Sequence, residues 1–207
     1  MATVVGHPLV LDKLARLRDQ QTPTPEFKRL LHEIAVLMLP SVFQDARLRG
    51  IQVTTPLGPA EVHRLADPVA AIAILRAGLG MAEALSYLPD VITLHFGMRR
   101  DPDSLQPSWY YRENLEQVRG RVVVVADPMI ATGGTLIECI SSLRPYAPRA
   151  VKVMALLAAA EGLAKVEEAL PEAQIYVCGV DPVLNSKGYI VPGLGDAGDR
   201  LFGIAHH

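Results

Sequence analysis

The chain alternates between short continuous apolar runs and longer stretches in which apolar residues recur every three or four positions. The runs are VAAIAIL ending at Leu75, VVVV at residues 122–125, and further runs over residues 91–96, 151–157 and 175–180. A run without polar alternation implies a strand covered on both faces, as in a parallel sheet. About five strands are therefore expected. Helical spacing links Val10, Leu14 and Leu17, then Phe27, Leu30, Leu31, Ile34 and Met38, with Thr24 as N-cap, Pro25 at the first helical position and Pro40 as the stop. It recurs at Leu136, Ile137, Ile140 and Leu143, and at Leu163, Val166 and Leu170, and a short helix is predicted over residues 81–87. Strands joined by helices predict an α/β fold with right-handed parallel crossovers.

Three stretches break this rhythm. Residues 48–62 read as a short hairpin or edge strands around Gly58 and Pro59. Residues 97–119 are polar, begin near Arg99 and Arg100, and then carry Trp109, Tyr110 and Tyr111. They read as a long mobile loop or arm that covers a site or reaches another subunit, because three adjacent aromatics gain little in a segment that never docks. The glycine-rich tail, residues 185–203, reads as neither strand nor helix.

Composition narrows the picture. Half of the 207 residues are hydrophobic and a fifth are charged, which suits one α/β core. The formal net charge of −2 gives no electrostatic reason to expect nucleic acid or anionic membrane as a partner. No leader-like or membrane-spanning apolar stretch is present, so a cytoplasmic location is expected. Cys139 and Cys178 fall within a predicted helix and strand and read as buried thiols. His206 and His207 carry no argument.

Candidate chemistry gathers at strand ends. The valine run ends at Asp127, and a turn with Thr132, Gly133, Gly134 and Thr135 leads into a helix. Such a turn presents backbone N–H groups and a positive helix end to a phosphate, while the carboxylate can accept hydrogen bonds from sugar hydroxyls. No lysine occurs between Lys28 and Lys152, so this cradle works through backbone and hydroxyl groups. Arg76 and Arg100 each follow a predicted strand, where a guanidinium suits phosphate oxygens, whereas Arg99, Arg112 and Arg119 read as solvated. A literal G-x-G-x-x-G at Gly193, Gly195 and Gly198 is rejected as a dinucleotide site, because only residues 199–207 follow it. His7, His32, His63 and His95 lack metal-ligand spacing, and Ser141–Ser142 lies in a helix, so no side-chain metal site and no acyl transfer are expected.

The string DPMIATGGT, from Asp127 to Thr135, resembles the phosphoribosyl-pyrophosphate motif of type I phosphoribosyltransferases. Its Pro128, in place of a second acid, is similar to the uracil phosphoribosyltransferase branch, as are GHPLV near the start, ILRAGLGM at residues 74–81 and GYIVPGLGDAGDRLFG at residues 188–203. The resemblance implies a single domain of the type I fold. Its core sheet would span roughly residues 68–182, with a small hood from residues 1–45 and 183–207. It implies transfer of phosphoribosyl to uracil, giving UMP and pyrophosphate, with Mg²⁺ carried in by the substrate. Asp127, Pro128, Met129, Ile130, Ala131, Thr132, Gly133, Gly134 and Thr135 would bind the donor together with Arg76, Arg100 and Asp196. Ile190, Gly195, Asp196 and Ala197 would meet uracil, and Asp196 and Arg76 would be catalytic. A dimer or larger homo-oligomer is expected, and the sequence leaves open whether GTP acts as effector. Two departures are visible: Ala160 stands where the branch often has proline, and Arg99 where tyrosine is common. Other readings are a nucleotide- or RNA-binding regulator on the same scaffold, and a sister enzyme acting on a purine or orotate.

Overall fold

The computed structural model describes residues 1–100 and 107–204, with the backbone alone for Arg100 and Pro107. In chain order the elements are β1 (Thr3–Val4), α1 (Pro8–Arg18), α2 (Thr24–Val42), β2 (Leu48–Thr55), β3 (Gly58–Leu65), β4 (Val69–Leu75), α3 (Leu79–Ala82) and β5 (Ile92–Arg100). There follow β6 (Pro107–Arg112), β7 (Val122–Ala126), β8 (Met129–Ile130), α4 (Gly134–Leu143), β9 (Ala150–Ala159), α5 (Ala160–Ala169), β10 (Gln174–Asp181), β11 (Val183–Leu184), β12 (Ile190–Val191) and α6 (Ala197–Phe202).

The five apolar runs form the centre of one sheet in the order β1-β10-β9-β7-β4-β5-β6, with β8 pairing β9. All of its pairings are parallel except that of β5 with β6. Residues along β4, β7, β9 and β10 alternate between two cores, as the pleat requires. Ala71, Ala73, Val124, Met154 and Cys178 join Leu14, Phe27, Leu30, Ile34 and Met38 of α1 and α2. Ile72, Val123, Val125, Val153 and Val177 instead meet Leu136, Ile140 and Leu143 of α4 and Leu163 and Val166 of α5. β4, β7 and β9 are buried on both faces, whereas β5 leaves Thr93 and His95 exposed on one face. Each fully buried large side chain contributes about 1.5–3 kcal/mol.

A buried lysine enters this core. Lys152 is 3% exposed in β9, and its ammonium donates to the Val42 carbonyl that ends α2, at 2.7 Å, and to Asp45. A cation at a helix C-terminus is favourable, and here it fastens α2 to the sheet. Cys139 and Cys178 are free and buried, and burial pushes the Cys178 thiol up to about 12. Among the described residues, no helix is long and apolar enough to cross a membrane.

Several expectations are corrected. Residues 97–119 are not one loop among the described residues: β5 runs on to Arg100 and turns back as β6, an antiparallel ribbon. Trp109 anchors it, lying edge-on to Phe96 with ring centroids 5.6 Å apart and donating through Nε1 to Glu138 at 2.8 Å. Residues 101–106, at the tip of the expected arm, lie outside the described residues, as do His206 and His207. Pro23, not Thr24, occupies the N-cap of α2, without a side-chain cap bond. That helix passes Pro40 to reach Val42, so the proline removes one i→i−4 hydrogen bond without ending the helix. The helix predicted over residues 81–87 is α3 followed by a 3₁₀ turn. The tail, expected to be irregular, contains β12 and α6, with Asp196 capping α6 by accepting the Asp199 N–H at 2.9 Å.

Candidate active site

The order of the sheet decides where a ligand fits. From β4 the chain passes to β5 on one side and later returns to β7 on the other, so connections leave in opposite directions from the β4–β7 pair. A crevice opens outside the carboxyl ends of strands at such a switch point. Register places Ala73 of β4 beside Ala126 of β7, so Arg76 and Asp127 leave the sheet at neighbouring strand ends.

A cleft of about 740 Å³ occupies that position. Its walls come from the turn after β4 (Arg76, Ala77), the end of β5 (Met98, Arg99), the turn after β7 (Asp127, Met129, Ala131, Thr135) and the tail (Lys187, Tyr189, Ile190, Gly195, Asp196, Ala197). Three separated stretches singled out from the sequence thus meet in one space. A second cavity, of about 620 Å³, opens at the opposite end of the sheet around Arg47, Asp67, Arg149 and Lys152. Its charged groups are already paired, Asp67 with Arg47 and Arg149, and Lys152 with Asp45.

Beyond β7, Asp127 accepts from the Met129 N–H at 3.4 Å, and β8 pairs Met129 with Leu157 and Ile130 with Ala158 of β9. Pro128 is buried, and its carbonyl receives the Leu156 and Leu157 N–H groups at 2.9 and 3.1 Å, tying the turn to β9. Ile130 is 1% exposed and packs in the core below. Gly133 is the N-cap of α4 at φ 82°, and no side chain caps this end. The first N–H groups of a helix lack partners within it, and at this end of α4 Thr135 lines the cleft. Gly133 is also pressed against α5, where a Cβ would fall 2.8 Å from the Gly162 carbonyl oxygen. Thr132, Gly133 and Gly134 shape the turn without lining the cleft.

Across the cleft, Arg76 donates through Nη2 to Asp199 Oδ1 at 3.0 Å, and its guanidinium lies 5.9 Å from the Phe202 ring centroid. Asp196 caps α6 through Oδ1, while its Oδ2 receives the Tyr189 hydroxyl at 3.5 Å. The expected base-contacting residues, Ile190, Gly195, Asp196 and Ala197, stand together on this wall. Arg100 closes β5 by its backbone, and its side chain lies outside the described residues. Arg99, read from the sequence as solvated, and Lys187, which that reading passed over, both line the cleft. Past Phe96 the alternation is broken by a register shift between Gly97 and Met98, so Met98 and Arg99, adjacent in sequence, both line the cleft. Lys187 had no sequence signal beyond its place beside Asn185, whose Oδ1 accepts the Lys187 N–H at 2.9 Å.

A parallel sheet with an anion-ready helix end at its switch point, facing arginine across a cleft, is the architecture of the phosphoribosyltransferases. A solved purine phosphoribosyltransferase from Pyrococcus horikoshii shares the fold at a TM-score of 0.50 and 13% identity, covering 74% of this chain and 84% of that one. A solved protein from Aquifex aeolicus is far more similar, with a TM-score of 0.94 and 35% identity over 100% of both chains. The family model described as uracil phosphoribosyltransferase matches residues 4–204. Proteins of that name from Shouchella clausii and Halalkalibacterium halodurans are 45% and 46% identical over 202 residues, 97% of each chain. The chain belongs to the uracil phosphoribosyltransferase family.

Proposed function

We propose that this chain transfers the phosphoribosyl group of phosphoribosyl pyrophosphate to N1 of uracil, releasing pyrophosphate and forming UMP. The observation that carries the reading is the convergence of three walls on one cleft: Asp127 with the open end of α4, Arg76, and the residue 190–197 wall. In the reaction the anomeric C–O bond to diphosphate breaks, a C–N bond to uracil forms, and the N1 proton is lost. Positive charge develops on the sugar and negative charge on the leaving group, and groups aimed at those charges lower the barrier.

Each wall has a part in this reading. The α4 N-terminus and Thr135 hold the 5-phosphate, Asp127 accepts from the ribose hydroxyls, and Arg76 binds the diphosphate, joined by Arg100. Asp196 lies near the reacting centre. The cleft's carboxylates, Asp127 and Asp196, are hard oxygen donors that suit a divalent cation. Mg²⁺ carried on the diphosphate would neutralise charge developing on the leaving group. Uracil presents an N–H between two carbonyls, and cytosine reverses part of that pattern. Backbone groups of residues 190–197 left unpaired would penalise cytosine.

A homo-oligomer and a cytoplasmic location belong to the same proposal. Tyr110 and Tyr111 are 54% and 42% exposed on β6, a surface suited to a second copy. GTP as effector is tested by turnover with and without it. The primary test mixes the protein with uracil, phosphoribosyl pyrophosphate and Mg²⁺ and follows pyrophosphate. Uracil-dependent release is expected, and release no faster than the enzyme-free background would overturn the reading.

A further inference from the structure

The wall assigned to the base is built on a segment with little secondary structure of its own. Between β12 and α6 lie Pro192, Gly193, Leu194, Gly195 and Asp196, and Leu194 is buried. If uracil is read by backbone groups here, the position of this backbone is the specificity element. Something outside the cleft must then hold it.

Two arginines do so. Arg18, the last residue of α1, makes a two-pronged bond to Asp181 at the end of β10, with Nη1 to Oδ2 at 2.7 Å and Nη2 to Oδ1 at 2.8 Å. The same Nη1 donates to the Gly193 carbonyl at 2.9 Å, and Asp181 Oδ2 accepts the Gly193 N–H at 2.8 Å. Both polar groups of one peptide-bearing residue are therefore closed into a network rooted in the sheet, where Asp181 pairs with Ala159 of β9. One residue further on, Arg200 takes the Leu194 carbonyl at 2.9 Å. It also donates to the Leu17 carbonyl at 2.8 Å and the Asp19 carbonyl at 2.6 Å, with its guanidinium 4.4 Å from the Phe27 ring centroid. None of Arg18, Asp181 and Arg200 lines the cleft.

We infer that Arg18 and Asp181 are positioning residues for the base, clamping Gly193 so that residues 190–197 present a fixed hydrogen-bonding edge that selects uracil. The inference rests on the function proposed above. The planar fork is essential to it, because one guanidinium must serve a carboxylate and a carbonyl at once. Lysine, a point charge, can serve the carboxylate without holding that geometry.

The test compares the wild type with Arg18→Met, Arg18→Lys and Asp181→Asn. The Michaelis constant for uracil should rise at least about tenfold in Arg18→Met, within the hundredfold that a misplacement of about 1 Å can cause. That for phosphoribosyl pyrophosphate should stay within about twofold, because the α4 turn is untouched. Discrimination against cytosine should fall in step, and Arg18→Lys should recover part of the loss. Hydrogen exchange supplies a readout independent of turnover: amides of residues 193–200 should exchange faster in Arg18→Met while those of β9 stay protected. If Arg18→Met does not fold, Asp181→Asn and Arg18→Lys carry the same comparisons. Equal changes in both Michaelis constants, or unchanged exchange in the tail, would overturn the clamp. A wild type that turns over uracil beside an Arg18→Met variant with unaltered uracil kinetics overturns the clamp alone. A wild type inactive with uracil overturns the functional reading, and exchange still decides the clamp.

Discussion

Replacing Gly162 with alanine tests how tightly the phosphate turn is braced. Gly162 lies in the first turn of α5, and an ideal Cβ there would sit 1.7 Å from the Ala131 carbonyl oxygen and 2.7 Å from its carbon. Real Cβ contacts essentially never fall under 3.0 Å, so helix and turn must part by at least about 1.3 Å, the difference between 3.0 and 1.7 Å. The atoms met are backbone, so no side chain can swing aside. Overpacking of this kind costs about 1–3 kcal/mol, and the upper end is expected. At a urea slope of about 3 kcal/mol/M, that lowers the unfolding midpoint by about 1 M. The displaced atoms lead directly into the α4 N-terminus, so catalytic efficiency toward the phosphoribosyl donor should also fall, by about tenfold to a hundredfold. Urea unfolding at fixed protein concentration and steady-state kinetics with varied donor measure the two effects. Gly50→Ala is the control, since a Cβ there meets nothing within 4 Å. Should Gly162→Ala match that control in both measurements, the bracing of the turn by α5 is refuted.

Two further outcomes follow from named groups. Asp127→Asn should lower kcat/KM by about ten- to a hundredfold, the loss of a hydrogen bond to a charged group being about 1.5–3 kcal/mol; kinetics within twofold of wild type would remove Asp127 from the site. The Asp181 carboxyl is held below its ordinary value of 3.8 chiefly by the Arg18 hydrogen bond, against burial, with help from the Gly193 N–H. A depressed carboxyl contributes stability above its ordinary value and loses it as pH falls through the folded value. The acid limb of the stability profile below about pH 4 should therefore be shallower in Asp181→Asn than in wild type. Urea midpoints measured from pH 5 downward check this, and parallel profiles would contradict it.

Strands β4, β7 and β9 were legible because burial on both faces erases alternation, leaving runs such as the one from Val122 to Val125 that no wet-faced element would carry. Asp127 and Arg76 were legible because each directly follows such a run. The tail helix was not, since six residues span less than two turns and show no period. Its signal was the cap, Asp196 three positions before Asp199. The ribbon of β5 and β6 was hidden by its polar residues, because one side chain, Trp109 on Phe96, holds much of it. Ala160 is the first residue of α5, where proline is well tolerated because its missing N–H would be unpaired in any case. Nothing in the sequence pairs Arg18 with Asp181, because a contact across 163 positions depends on how α1 returns to the sheet.

The central claim is that this cleft joins phosphoribosyl to uracil and reads the base through the backbone of residues 190–197. One competition assay tests it most directly: uracil, cytosine, orotate and hypoxanthine in equal amounts with phosphoribosyl pyrophosphate and Mg²⁺, every nucleotide product quantified. The account predicts UMP as the product, with cytosine disfavoured by about 10⁴-fold, as a hydrogen-bonding site that leaves its own groups unpaired would impose. A different nucleotide in excess, or comparable yields from uracil and cytosine, would contradict it.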